Sequence, residues 1–292
     1  MFTRKIAALI SAALMLTVVG CDKNEPPPPP PSESVGTAAP PAEVTGLEVT
    51  FFDVGKADAM VLLSENSTVI IDCGEKGDAK QIVKFLEERG RDTVDYLILT
   101  HYDKDHVGGA GKVIRSLDVK NVLGPDHEQQ SDEVDKYIAA LNEKELTPQL
   151  LTEDISFTLD GMDFTVDAPD KTNYGVNDDN DFSLVTKVVH GENTLIFAGD
   201  AMEQRLNEVM GIGDCDLLKV PYHGRKLANF GDFLDAVTPE YAVVCTSKEE
   251  FAGTIQKQMI KRDITYFSTC FNGRITAVSD GKSLTVTPEK GV

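Results

Sequence analysis

Two hydrophobic rhythms alternate along this chain. Apolar runs at Leu47–Asp53, Ala59–Leu63 and Thr68–Asp72 predict three early strands. Asp78–Glu88 then switches to a helical period, with Ile82, Phe85 and Leu86 on one face. Tyr96–Thr100 predicts a buried strand, Val107–Leu117 a helix, Val119–Leu123 a strand and Asp132–Asn142 a polar helix. Asp160-Gly161 splits Ile155–Leu159 from Met162–Val166, a hairpin signal. Gly191-Glu192-Asn193 does the same between Phe182–Val189 and Thr194–Ala198. Further on, Met202–Met210 and Phe251–Lys261 predict helices. Leu217–Val220, Tyr241–Thr246, Thr265–Phe267, Arg274–Val278 and Leu284–Thr287 predict strands. Hairpins precede mixed βα units in both halves, so the pattern predicts one α/β domain, residues 47–292, with two mixed β-sheets.

The first 46 residues follow other rules. Arg4 and Lys5 precede an apolar stretch, Ile6–Val19, that is too short to span a bilayer comfortably and reads as a secretory signal. Val18-Val19-Gly20-Cys21 resembles a bacterial lipobox. That resemblance implies a signal peptide over residues 1–20, cleavage before Cys21 and a lipid on it. It also implies residence on the extracytoplasmic face of a bacterial membrane. Residues 21–46 hold an unbroken proline run, Pro26–Pro31, and read as a proline-rich tether.

Charge narrows the function classes. With 28 Lys+Arg against 48 Asp+Glu, the formal net charge is −20. This excludes a broad nucleic-acid-binding surface, which needs clustered cations. It does not exclude a small site that cuts a phosphodiester. Five Cys are too few for a disulfide scaffold, and no CxxC pair suggests a thiolate zinc site. Cys73 and Cys245 read as core thiols, and a Cys245–Cys270 bridge stays open.

The densest chemistry lies in Thr100-His101-Tyr102-Asp103-Lys104-Asp105-His106-Val107-Gly108-Gly109. His101, Asp103, Asp105 and His106 offer four potential ligands directly after an apolar strand. Imidazole with carboxylate suits Zn, Mn or Fe. Leu195–Ala198 ends in Gly199-Asp200, and Leu217–Pro221 ends in Tyr222-His223-Gly224. Asp200 and His223 are therefore candidate ligands at two further strand ends. Lys104, Lys219 and Arg225 flank these positions, and Lys219 and Arg225 are candidate substrate contacts. His127 follows another strand at Gly124-Pro125 and is a weaker candidate for reaching substrate.

This pattern is similar to the metallo-β-lactamase fold, whose ligand motif is His-x-His-x-Asp-His with a distant His, Asp and His. More narrowly it resembles the metallo-β-lactamase domain of ComEC competence proteins. Phe52-Asp53-Val54-Gly55-Lys56-Ala57-Asp58-Ala59 resembles that group's Asp-Val-Gly-Gln-Gly-Asp-Ala, and Ile71-Asp72-Cys73-Gly74 its Ile-Asp-Thr-Gly. Leu218–Gly224 resembles its Leu-Lys-Val-Pro-His-His-Gly. The resemblance implies an αββα sandwich and two divalent metal ions, Mn or Zn. His101 and Asp103 would hold the first ion, Asp105, His106 and His223 the second, with Asp200 bridging. Asp103 replaces a His of the wider motif, which makes the first site more oxygen-rich and tilts it toward Mn or Fe. Asp58 and Asp72 would orient ligand imidazoles through their ring N–H groups.

The middle His of the motif has no counterpart. His190 lies at the turn end of its hairpin, roughly 25 Å from Asp200 at about 3.3 Å per residue. The residue beside Asp200 is instead near Ser183, so Asn180 or Asp181 would complete or border a weaker first site. The implied activity is metal-dependent hydrolysis at the cell envelope, most simply of a phosphodiester, with Asp105 orienting the attacking water. DNA or a nucleotide is the substrate the resemblance suggests. Alternatives are another envelope ester, lactone or phosphodiester, and a binding module that has lost its chemistry.

Overall fold

The computed structural model describes residues 46–175 and 179–291. The signal segment, Cys21 and the tether up to residue 45 lie outside the described residues. The first half runs β1 (Leu47–Phe51), β2 (Ala59–Leu63), β3 (Thr68–Cys73), α1 (Ala79–Glu87), β4 (Thr93–Ile98), α2 (Lys104–Val107), α3 (Ala110–Ser116), β5 (Asp118–Pro125), α4 (Asp132–Glu143) and β6 (Gln149–Leu151). The second half runs β7 (Ile155–Leu159), β8 (Met162–Asp167), β9 (Val185–His190), β10 (Asn193–Phe197), α5 (Glu203–Glu208), β11 (Leu217–Lys219), α6 (Phe230–Val237), β12 (Tyr241–Val244), α7 (Gly253–Ile260), β13 (Thr265–Ser268), α8 (Thr269–Asn272), β14 (Ile275–Ser279) and β15 (Leu284–Pro288).

Among the described residues, one sheet has eight strands in the order β15-β14-β1-β2-β3-β4-β5-β6. The other has seven, in the order β13-β12-β11-β10-β9-β8-β7. Each sheet starts as antiparallel hairpins and continues as parallel βα units: β1, β2 and β3 pair antiparallel, whereas β3 to β6 pair parallel. In the second sheet β7 to β10 pair antiparallel and β10 to β13 parallel.

The strand period of two explains the layering. In β2, Met60 and Leu62 face the second sheet, while Ala59, Val61 and Leu63 pack under α1 to α4. In β10, Leu195 and Phe197 point into the space between the sheets and Ile196 packs toward α5 to α7. Phe51 and Phe197 stack across that space with ring centroids 6.1 Å apart. Strands buried on both faces have no polar side, which is why they read as unbroken apolar runs. The result is the αββα sandwich of two mixed sheets that the sequence predicts.

Several boundaries differ from expectation. Val107–Leu117 is not one helix: Gly108-Gly109 separates α2 from α3. A Cβ on Gly109 would stand 2.2 Å from the Cys73 carbonyl oxygen, so this break is where a helix presses against the end of β3. Met202–Met210 shortens to α5 and a 3₁₀ turn, and Phe182 belongs to a 3₁₀ turn ahead of β9. Strand β6 and helix α6 occupy segments left unassigned from sequence. The ends of β3, β4, β10 and β11 meet at one edge of the sandwich. Leu184 N–H donates to the Thr100 carbonyl there at 2.9 Å, joining the two sheets beside His101.

Candidate metal centre

Three imidazoles are wholly buried at this edge: His101 after β4, His106 within α2 and His223 after β11. The rings of His101 and His106 lie 4.0 Å apart, and those of His106 and His223 lie 5.3 Å apart. Each Nδ1 is already engaged. His223 Nδ1 donates to the Cys245 carbonyl at 3.0 Å, which fixes its tautomer because a carbonyl can only accept. His106 Nδ1 donates to Asp72 Oδ2 at 2.8 Å. His101 Nδ1 lies 3.1 Å from the Thr100 hydroxyl, which itself donates to Asp72 Oδ2 at 2.7 Å. All three Nε2 atoms therefore face inward, and none makes an aligned hydrogen bond among the described residues.

Carboxylates surround those nitrogens. Asp103 Oδ2 lies 3.6 Å from His101 Nε2, and Asp200 Oδ2 lies 3.5 Å from His106 Nε2 and 3.0 Å from His223 Nε2. Asp105 Oδ2 lies 3.4 Å from His223 Nε2. His101, His106 and Asp200 offer ligand atoms within 4.8 Å of one another, and so do Asp105, His106 and His223. Buried imidazole nitrogens without partners, aimed at carboxylates, fit a divalent cation. Electrostatics agrees. Burial alone would lower the His106 pKa, but Asp200 and Asp72 override it and raise it to about 10. Burial would raise the Asp200 carboxyl, but His223 and His106 hold it well below its ordinary value.

The backbone strains to build this geometry. Tyr222 and His223 both adopt left-handed conformations, with φ of 50° and 49°, and Asp72 has φ of 57°. Such conformations cost on the order of 1–3 kcal/mol each in non-glycine residues and concentrate at functional sites. Gly199 has φ of 50° and a Cβ there would meet Thr100 Cβ at 2.9 Å, so Asp200 can be presented only behind a glycine.

The metallo-beta-lactamase superfamily model matches residues 52–248, a span that holds every one of these groups. The chain belongs to the metallo-beta-lactamase superfamily. Members of this superfamily are generally metal-dependent hydrolases, and the fold usually holds divalent ions. ComE operon protein 3 of Bacillus subtilis is 27% identical over 222 residues, covering 69% of this chain and 28% of that protein. Competence protein ComA of Neisseria gonorrhoeae is 29% identical over 204 residues, covering 67% of this chain and 26% of that protein. The chain thus spans about a quarter of the length of these curated relatives. Among solved structures, the metallo-beta-lactamase fold protein YhfI from Bacillus subtilis superposes with a TM-score of 0.53 at 10% identity, covering 82% of this chain and 99% of that one. At that identity the likeness speaks to fold.

Ser183 stands beside Asp200, as the hairpin register predicts. Its hydroxyl accepts the Asp200 N–H at 3.0 Å and sits 3.5 Å from His101 Nδ1. His190 pairs with Asn193 at the hairpin turn and bonds Ser279, away from the centre. Asp58 lies beneath the cluster, with Oδ1 3.5 Å from His223 Nδ1.

Six expectations need correction or restriction. Lys219 is not a substrate contact: it is wholly buried, pairs with Asp58 and donates to the Gly199 carbonyl at 2.8 Å. Arg225 is engaged by Glu250 and by the Tyr222 hydroxyl rather than extended over the centre. Asp181 does not join the ligand groups, because its Oδ1 accepts the Met202 and Arg205 N–H groups and caps the start of α5. Asn180 turns its amide N–H toward Met202 Sδ. His127 bonds Asp179 at 2.8 Å and stacks on Phe182. Cys73, Cys215, Cys245 and Cys270 are free thiols. Lys56, which sequence reasoning passed over, stands 2.6 Å from Asp105 Oδ2.

Proposed function

We propose that this protein is a metal-dependent phosphodiesterase, held at the outer face of a bacterial membrane by a lipid on Cys21. The convergence of three buried, inward-facing Nε2 atoms with the carboxylates of Asp105 and Asp200 carries the reading. Divalent cations, Mn or Zn, supply Lewis acidity in such a set and acidify a water nucleophile. His101, Asp103 and Asp200 would hold one ion. Asp105, His106, His223 and Asp200 would hold the other.

The remaining roles follow from the hydrogen bonds. Asp72 and the Cys245 carbonyl hold the His106 and His223 rings with Nε2 inward. Asp105 reaches the centre beside His223 and would orient the attacking water. Asp103 accepts from Gln129 at 2.7 Å and is partly exposed, so it forms the open rim of the oxygen-rich first site.

DNA or a nucleotide is the proposed substrate class, supported by the resemblance to competence-protein domains and by the printed name of the Neisseria gonorrhoeae relative, a competence protein. The formal charge of −20 opposes a long duplex lying across the surface, so the scissile phosphate would enter as a single strand or a small nucleotide.

The test uses the full chain stripped of metal. Bis(p-nitrophenyl) phosphate turnover is measured with Mn, with Zn and with neither, alongside Asp200→Ala. Turnover restored by metal and absent in the variant is the expected result. Bound ions with no turnover under any condition refute the phosphodiesterase and shift weight to a neutral ester or a binding role. Cys21→Ala should release the protein from the membrane fraction.

A further inference from the structure

The two cations expected to contact substrate are both committed elsewhere: Lys219 to Asp58 and Arg225 to Glu250. A third cation occupies the place they were expected to fill. Lys56 sits at the tip of the loop between β1 and β2, and that loop is pinned at its base. Phe52 N–H donates to the Ala59 carbonyl at 3.0 Å, and Asp58 N–H to the Asp105 carbonyl at 3.1 Å. From this platform the Lys56 ammonium comes within 2.6 Å of Asp105 Oδ2. The Lys56 side chain is 32% exposed whereas that of Asp105 is 5% exposed, so the ammonium bridges solvent and the buried centre.

The contact has two readings. Lys56 could be a brace that holds Asp105 in place. Alternatively the ammonium could be a movable counter-charge that yields Asp105 to a metal ion and turns to an incoming anion. Exposure and chemistry favour the second. Asp105 is already positioned by α2, which is itself tied to the Asp58 loop through the backbone. A flexible lysine adds little rigidity to it. An ammonium and a divalent cation on the same carboxylate oxygen exclude one another, so an ion on Asp105 Oδ2 would leave the Lys56 ammonium free at the partly exposed edge of the centre. The motif that this loop resembles carries Gln where Lys56 stands, so the extra charge is a property of this chain rather than a requirement of the loop.

We propose that Lys56 is the anion contact of the active site, binding a non-bridging oxygen of the substrate phosphate once Asp105 has taken a metal ion. The proposal rests on the phosphodiesterase reading and names the group that recognises its substrate's charge. Such a charge-assisted contact on phosphate changes affinity by about tenfold.

The experiment loads the full chain with Mn and titrates inorganic phosphate by calorimetry. Wild type is compared with Lys56→Gln, Lys56→Met and Lys56→Arg. Phosphate affinity should fall about tenfold in both neutral variants and recover in Lys56→Arg. Mn affinity should be equal or tighter in the neutral variants, because a competitor for Asp105 has gone. Where diester turnover is measurable, KM should rise about as much as phosphate affinity falls, with a smaller change in kcat. Weakened Mn uptake in the neutral variants would make Lys56 a brace and overturn the proposal. So would phosphate affinity that is unchanged, or absent in the Mn-loaded wild type. Wild-type turnover of bis(p-nitrophenyl) phosphate decides the phosphodiesterase reading separately, since phosphate binding does not depend on it.

Discussion

Lys219→Met removes a buried charge and little else. Lys219 and Asp58 are both wholly buried, and the ammonium also donates to the Gly199 carbonyl at 2.8 Å. Met preserves the length and apolar stem, so the packing cost is small. What remains is a carboxylate without its counter-ion and a carbonyl without a donor. Removing one member of a buried pair costs about 3–5 kcal/mol, and an orphaned carbonyl adds about 1–3 kcal/mol. Two neighbours soften this. His223 Nδ1 and His106 Nδ1 lie 3.5 Å and 3.9 Å from Asp58, and as imidazolium ions they partly neutralise it. The expected net loss for the metal-free protein is about 4 kcal/mol. At about 2–4 °C per kcal/mol for a domain of this size, Tm falls by roughly 10 °C. Urea unfolding followed by circular dichroism measures the loss. Adding Asp58→Asn removes the stranded charge and should restore at least half of it, which a double-mutant cycle isolates. A single variant within about 1 kcal/mol of wild type, or a double variant no more stable than the single one, would refute the reasoning.

Three other outcomes follow from the same geometry. Burial alone would lower the His106 and His223 pKa values, but Asp200, with Asp72 for His106 and Asp105 for His223, raises both, that of His106 to about 10. A raised folded-state pKa contributes stability that is complete below the unfolded value of about 6.5 and lost as pH climbs through the folded one. The urea midpoint of the metal-free protein should therefore fall between about pH 6.5 and pH 10, and a flat midpoint over that range contradicts the ion pairs. Gly199→Ala forces a Cβ to within 2.9 Å of Thr100 Cβ at a φ of 50°. It should cost about 1–3 kcal/mol and abolish Mn uptake as judged by metal analysis. Phe197→Ala empties the space between the sheets beside Phe51 and should cost about 3–5 kcal/mol in urea unfolding while the metal-binding stoichiometry of the folded fraction is retained.

What was legible in the sequence had a local cause. Central strands such as β2 and β3 are buried on both faces and so appear as unbroken apolar runs. Asp160-Gly161 announces the turn between β7 and β8 because both residues there have positive φ. The dense His101–His106 loop stands out because polar groups crowd between an apolar strand and Gly108-Gly109. Helix α6 is left unassigned from sequence, although Phe230, Phe233, Leu234 and Val237 follow a helical period on a single buried face. What was hidden depends on tertiary partners. A lysine reads as a solvated charge until Asp58, 161 positions earlier in the sequence, is seen against Lys219. Asp181 reads as a ligand because the helix it caps begins more than twenty residues later. Lys56 looks like a loop residue because only the folded chain brings Asp105 to it.

Charge balance links the centre to the kind of substrate it suits. Asp58, Asp72, Asp105 and Asp200 bring four carboxylates into the protein, against the ammonium groups of Lys219 and Lys56. With His106 and His223 protonated, as their raised pKa values favour, these four carboxylates and four cations balance. That neutrality is what allows four carboxylates to be buried together. Nitrogen lone pairs can serve a metal only after those protons leave. Each exchange of an imidazole proton for a divalent cation adds one positive charge. Asp103 at the rim offsets part of this, and its own carboxyl is held below the ordinary range by His101. Lys56 is already counted in that balance, so its release from Asp105 would move a positive charge toward the partly exposed edge without changing the total. Loaded with two ions, the centre would therefore carry a net positive charge, which favours an anion. An otherwise acidic protein thus concentrates its attraction for anions at one edge of the sandwich, where it would select a phosphodiester over a neutral ester by charge before any shape is read.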